Sequence, residues 1–106
     1  MSTKNQDAIA ALMALYDALD DAYWVASDVP TKDRIHGIAQ AVYTELTRLN
    51  RLTIEERGKK YRPIGNDMKL VKVRLGVLKE EIDRVIHAID TINRVVAAAS
   101  RVLTLI

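Results

Sequence analysis

The residues best suited to acid–base or metal chemistry are the histidines and carboxylates. Four of them lie three and four residues apart: Glu80, Asp83, His87 and Asp90. This spacing places polar groups on one face of a helix, and dimetal bundles use inward carboxylates with a Glu-x-x-His pair. In the heptad frame of the surrounding apolar residues, however, all four take outer positions, and no glutamate precedes a histidine by three residues. We therefore interpret the group as a solvated charged face.

The other histidine, His36, lies between Ile35 and Gly37, with Asp33 three residues before it. It is a possible ligand or acid–base group, but it fits equally a surface histidine near the start of a helix. The chain has no cysteine, which excludes disulfides and thiolate ligands, and segment 58–65 lacks the Gly-Lys-[Ser/Thr] ending of a phosphate-binding loop. We expect no catalytic residue, no metal and no cofactor, and hence a non-enzymatic protein, unless a site is assembled across subunits.

Positive charge is concentrated in residues 51–74. The net charge of the whole chain is only +2, but this stretch holds eight Lys/Arg against three acidic residues, a net +5. The possible anion or nucleic-acid contacts are Arg57, Lys59, Lys60, Tyr61, Arg62 and Lys69. Basic groups beside an aromatic ring suit phosphate contacts and base stacking. The alternative is an ordinary charged loop in which Tyr61 packs over the end of the core.

Negative charge is concentrated at the start of the chain. Residues 1–33 hold two lysines against six aspartates, a net −4. The possible acidic partner patch comprises Asp17, Asp20, Asp21 and Trp24, which fall close to one face of a helix. It could receive a basic partner or a cation, or it could be a solvated face with Trp24 covering the edge of a bundle. The acidic and basic regions could also meet, within one chain or between subunits.

Apolar residues recur every three and four positions and predict one helical domain, 1–106, with helices over about 5–27, 32–57 and 67–105 and a basic loop at 58–66. Pro30 ends the first helix, and Thr31 is the expected N-cap of the second. Gly58 ends the second helix, and Asn66 or Asp67 caps the third. On the second helix we expect a charged outer face: Arg34, Glu45, Arg48, Arg51 and Glu55.

Residues 68–76 allow two interpretations. Segment 70–75 alternates polar and apolar residues and includes β-branched ones, as a strand would. The three/four spacing nevertheless continues through Gly76, and a lone strand has no obvious partner in so helical a chain. We therefore favour helix.

The third predicted helix is much longer than the other two. Its 39 or so residues would span about 58 Å, against about 35–39 Å for the others, so residues 93–106 would overhang. This end is strongly apolar, and exposed patches of that kind mark interaction surfaces. We therefore expect a homo-oligomer, most commonly a dimer. The expected interface is Ile89, Ile92, Val95, Val96, Ala99, Val102, Leu103 and Ile106. The alternative is a kink near Asn93 that folds the end back as a fourth helix of a monomer.

The sequence thus predicts an all-α fold: an antiparallel three-helix bundle with a long heptad-patterned C-terminal helix, completed by oligomerisation into a four-helix or larger bundle. The expected role is a helical interaction module, such as a scaffold, adaptor, chaperone-like or regulatory protein. Its expected partners are itself and a protein that the sequence does not identify. The alternative is a nucleic-acid-associated protein using residues 57–74. We expect a cytoplasmic location without membrane insertion, because the first residues lack an apolar run and Arg94 and Arg101 interrupt the apolar end.

Overall fold

A computed structural model describes residues 3–106, and the described part contains five helices and no strand. The helices are Asn5–Val25 (α1), Val29–Asn50 (α2), Ile54–Arg57 (α3), Met68–Val85 (α4) and Ile89–Leu103 (α5). The predicted all-α class is confirmed. Segment 70–75 lies within α4, so the helical interpretation of residues 68–76 is confirmed as well.

The four long helices form an up-down-up-down bundle within one chain. α1 packs on α2 and α5, and α4 packs on the same two helices, so α1 and α4 lie diagonally opposite each other. At one end, backbone bonds join the start of α1 to the loop after α3: Tyr61 N–H donates to the Thr3 carbonyl (2.7 Å) and Asn5 N–H to the Lys59 carbonyl (2.8 Å). At the other end, Ser27 N–H donates to the carbonyl of Val85 (3.5 Å).

α2 begins earlier than the sequence indicated. Its N-cap is Asp28, not Thr31: the Asp28 carboxylate accepts a hydrogen bond of 2.8 Å from the Thr31 N–H. This bond lowers the pKa of the Asp28 carboxyl. Pro30 lies inside the first turn, where its missing N–H leaves no helical bond unmade. The sequence predicted that α2 begins near residue 32, three residues too late, because Pro30 was expected to precede the helix and not to lie in its first turn.

α2 also ends earlier than predicted, at Asn50 rather than near 57. Thr53 and Glu56 form a capping box that starts the single-turn helix α3: Glu56 N–H donates to Thr53 Oγ1 (3.2 Å), and Thr53 N–H donates to the Glu56 carboxylate (3.1 Å). The bond from Thr53 N–H lowers the pKa of Glu56. Gly58 ends α3 rather than α2.

The long helix predicted over 67–105 is interrupted at residues 86–88. Ile86 ends α4 in an extended conformation (φ −134°, ψ 135°) and is fully buried, although no proline or glycine lies nearby. A fully buried branched side chain such as that of Ile86 stabilises the fold by about 1.5–3 kcal/mol. Each helical hydrogen bond that is lost at the break costs roughly 1 kcal/mol net, which is less. The chain therefore turns, and α5 runs back along α1.

The turn removes the overhang from which self-association was predicted. The molecule measures 43 Å in its longest dimension, too short for a 39-residue helix, and α5 itself supplies the fourth helix of the bundle. Of the eight expected interface residues, Val95, Ala99 and Val102 are fully buried within the chain, and Ile89 is 72% exposed. The others are partly buried against the core: Ile92, Val96, Leu103 and Ile106. Oligomerisation stays a prediction, but it needs a different surface.

α1 faces the core with alanines and leucines. The buried positions are Ala8, Ala11, Leu12, Leu15, Ala18, Leu19 and Ala22. Small side chains allow neighbouring helices to approach closely. Tyr16 and Tyr23 are only partly buried and lie at the edge of α1 that borders α2.

Candidate functional site

An aromatic groove lies between α1 and α2. Its walls hold Tyr16, Asp20, Tyr23 and Trp24 from α1 and His36 and Gln40 from α2. Its floor consists of the buried residues Leu19, Ile35 and Ala39. Tyr43 extends the groove along α2, so that four of the five aromatic side chains of the chain lie along this one boundary.

The rings meet in pairs at the two ends of the groove. At one end, the ring centroids of Tyr16 and Tyr43 are 5.7 Å apart. At the other end, Tyr23 makes an edge-to-face contact with Trp24 (5.4 Å) and lies 6.2 Å from the His36 ring. Tyr16 and Tyr23 are seven residues apart on α1, about 11 Å along the helix. The carboxylate of Asp20 and the amide of Gln40 line the groove between these pairs.

Two of these rings are largely in water. Trp24 is 73% exposed and Tyr43 is 55% exposed, although a tryptophan side chain usually buries most of its area. Tyr23 already makes a cation–π contact: the Lys32 ammonium lies 4.8 Å from its ring centroid and also donates a hydrogen bond to the Tyr23 carbonyl. Trp24, the ring type that binds cations best, has no such contact among the described residues.

The predicted acidic patch is divided among three environments. Asp20 and Trp24 line the aromatic groove. Asp21 forms an ion pair with Arg94 of α5. Asp17 lies on the same outward stripe at its edge toward α5, in an alanine-lined groove that also contains Arg94 and Arg101. α1 itself contains four aspartates and no lysine or arginine, so its outer face stays acidic despite the Asp21–Arg94 ion pair.

The predicted basic region is only partly accessible. The Arg57 guanidinium donates to the carbonyls of Asn50 (3.0 Å) and Leu52 (3.3 Å) and so closes the turn between α2 and α3. Tyr61 is buried, and its hydroxyl donates to Glu45, so its ring cannot stack on a base. The exposed cations of the predicted set are Lys59, Lys60, Arg62 and Lys69.

Glu45 is the residue that the sequence interpretation misplaced. It was expected on the outer face of α2, but it is only 1% exposed, and its carboxylate accepts three hydrogen bonds: from Tyr61 Oη (2.7 Å), Ile64 N–H (2.8 Å) and Gly65 N–H (2.9 Å). A methyl group at Gly65 would lie 2.6 Å from a guanidinium nitrogen of Arg48 and 3.3 Å from a carboxylate oxygen of Glu45, so the glycine allows both side chains to approach the loop. Burial, together with this carboxylate, raises the pKa of Tyr61.

α4 carries a second apolar stripe that points away from the core. Its inner stripe is buried: Met68, Val71, Leu75, Leu78 and Ile82. On the outside, Leu70, Val73 and Val77 are exposed, Val73 by 66%. A groove between α2 and α4 runs past Val73 and Val77 and is lined by Arg34 and Arg74. Neither this stripe nor the aromatic groove was identified from the sequence, although the 3–4 spacing of residues 70, 73 and 77 was a usable signal.

The histidines and their neighbouring carboxylates are dispersed. Glu80, Asp83, His87 and Asp90 are all exposed, and His36 is exposed at the aromatic groove. Across residues 3–106, no group of three or more His, Cys, Asp or Glu side chains is arranged to hold a metal ion.

Comparisons with known proteins add no functional information. No family model, curated protein or solved structure matches this chain. In the part of the chain that the structure describes, none of the helices combines the length and apolar content needed to cross a bilayer.

Proposed function

We propose that the chain is a non-enzymatic interaction module that binds a basic, partly apolar segment of a partner protein at the α1 face. We define the α1 face as Met13, Asp17, Asp20 and Trp24, the outward stripe of α1, together with the adjoining aromatic groove. The observation that carries the proposal is the gathering of four aromatic side chains along one groove, with Trp24 73% exposed.

The chemistry of the α1 face favours a basic partner. Trp and Tyr are enriched among residues that contribute most to protein interfaces, because they bury a large area with few rotatable bonds. The free face of Trp24 suits a lysine or arginine cation, and Asp20 lies one turn away to neutralise it. A partner with apolar side chains beside its cations would cover the indole and Met13, which is also exposed.

The alternative function, nucleic-acid binding through residues 57–74, has less support. Its only aromatic ring, Tyr61, is buried, and Arg57 is occupied by two carbonyls. Lys59, Lys60, Arg62 and Lys69 still offer exposed cations, so phosphate contact without base stacking stays a prediction.

Trp24 is the only tryptophan, so its fluorescence reports directly on the proposed site. The probe is a synthetic peptide of alternating lysine and leucine, and its control is a peptide of the same length with glutamate in place of lysine. We expect the lysine peptide alone to shift Trp24 emission to shorter wavelength, with roughly twofold to fivefold weaker binding to Asp20→Asn at low salt. Lys79→Gln, a neutralisation on α4, serves as the matched protein control and should bind as the unmodified chain does. Equal response to both peptides, or none, would contradict the proposal.

A further inference from the structure

Within residues 3–106, no other element packs on the outward face of α4. We define the α4 face as Leu70, Val73 and Val77 with the flanking cations Lys69, Lys72 and Arg74. All six residues are exposed. The apolar three recur at helical spacing over about 10 Å, so they form a continuous stripe rather than scattered exposed residues. A stripe of this kind between cations matches an acidic partner that is itself partly apolar.

The chain itself presents such a surface. The α1 face has exposed apolar side chains at both ends, Met13 and Trp24, and two exposed carboxylates between them, Asp17 and Asp20. α1 itself has no lysine or arginine over Asn5–Val25. Arg94 and Arg101 of α5 line the groove beside Asp17, whereas the groove that Asp20 lines contains neither lysine nor arginine. The two faces are therefore complementary in both respects: exposed apolar area meets exposed apolar area, and carboxylates meet ammonium groups.

Geometry prevents the two faces from meeting within one molecule. Because α1 and α4 are diagonal in the bundle, their outward faces point to opposite sides. For the same reason, a single contact between two copies uses the α1 face of one and the α4 face of the other. Such a head-to-tail contact is not self-complementary and leaves one face of each type free for a further copy.

We infer that the occupant of the α4 face is a second copy of this chain, whose α1 face packs on it, so that copies associate head to tail. This inference rests on the proposed function, because it uses the same α1 face and names its basic, apolar partner as α4 of another copy. Association is reversible and depends on concentration, and salt weakens it because the charged groups lie at an exposed interface.

Two neutral triple variants test the inference. One changes the α1 face by Asp17→Asn, Asp20→Asn and Trp24→Gln, and the other changes the α4 face by Lys69→Gln, Lys72→Gln and Val73→Gln. Neutral side chains are chosen because reversed charges on both faces would create a new complementary pair. All six positions are exposed, so both variants should keep the helix content and melting temperature of the unmodified chain.

Mass in solution is then measured by light scattering at low salt. Each variant alone should be monomeric where the unmodified chain assembles, with at least tenfold weaker self-association. An equimolar mixture should form a 1:1 complex and no larger species, because each variant keeps one intact face. A mixture that stays monomeric, or an unmodified chain that does not assemble, overturns the inference.

Failure of the inference and failure of the proposed function give different results. A monomeric unmodified chain whose Trp24 emission responds to the lysine–leucine peptide refutes the second copy as occupant and leaves the proposed function standing. A monomeric chain with no response refutes both. Binding to vesicles of anionic lipid or to a DNA duplex that is lost in the α4-face variant, without self-association, overturns the inference in favour of a different occupant of the α4 face.

Discussion

Glu45 and Tyr61 show how single residues fix the loop that joins α2 to α4. A carboxylate inside a small bundle is tolerated only where hydrogen bonds replace its hydration, and Glu45 has three such bonds, all to residues 61–65. The loop is thereby held against the bundle end, and its exposed cations are presented from a fixed backbone.

Glu45→Ala should lower the free energy of unfolding by about 3 kcal/mol, because it leaves the buried Tyr61 hydroxyl and two partly buried N–H groups without their partner. The control is Glu55→Ala on the exposed side of α3, which should change it by no more than about 0.5 kcal/mol. Chemical denaturation of both variants measures the difference. Equal effects would mean that Glu45 faces solvent, as the sequence interpretation first had it.

Tyr61 gives the fold a sensitivity to alkaline pH. Its pKa is raised in the folded state, so folding favours the neutral phenol. The resulting stabilisation is complete below the unfolded pKa of about 10 and is lost progressively as the pH rises above it. Unfolding free energies of the unmodified chain and Tyr61→Phe should therefore converge from about pH 9 to pH 11. The lysines and the other tyrosines titrate in both proteins, so their contribution cancels in the difference. A difference that stays constant over this range would therefore contradict the raised pKa of Tyr61.

At the scale of elements, the turn at residues 86–88 decides the architecture. The spacing of apolar residues on a continuous helix and on a helical hairpin is nearly the same, so periodicity alone indicated the helix but not the break. The sequence contains no proline or glycine there, and the turn follows instead from what α5 buries against α1. The free energy gained by this burial depends on how all the helices pack, so no local sequence pattern indicates it.

Two isoleucines of this turn test the break directly. Ile86→Ala should lower the unfolding free energy by about 2–5 kcal/mol because the side chain is fully buried. Ile89→Ala should have an effect within about 0.5 kcal/mol, because Ile89 is 72% exposed. Thermal or chemical denaturation compares them. The opposite order would support a continuous helix, in which Ile89 occupies the seam and Ile86 flanks it.

Other elements were predictable to different degrees. The buried stripe of α4 was predictable, since Met68, Val71, Leu75, Leu78 and Ile82 keep a three/four spacing that continues through Gly76. On α2, the apolar residues of the buried stripe lie at positions 35, 38, 42, 46 and 49. Glu45 follows Val42 by three residues and precedes Leu49 by four, so its spacing is that of a buried position although its charge is typical of an exposed one. The acidic residues of α1 were identified, but the aromatic groove was not, because it requires Tyr43 and His36 of α2 to lie beside α1.

At the scale of the whole molecule, charge is separated across the short axis of the bundle. α1 carries four aspartates and no cation, while the diagonal helix α4 begins with three exposed cations among its first seven residues. Neither face is neutralised by the other within the chain. Together with the exposed indole of Trp24 and the exposed stripe of α4, this arrangement is the basis for proposing an interaction module.

The most direct test of these opposed faces is the mass of the unmodified chain in solution, measured by light scattering over a range of concentrations. At about 0.01 M salt, where the screening length is about 30 Å, we expect the average mass to rise steadily with concentration above the 11.9 kDa of one chain. At about 1 M salt, where the screening length is about 3 Å, it should fall back toward that value. A mass of 11.9 kDa at every concentration and both salt levels, or a fixed dimer unaffected by salt, would rule out head-to-tail association through these two faces.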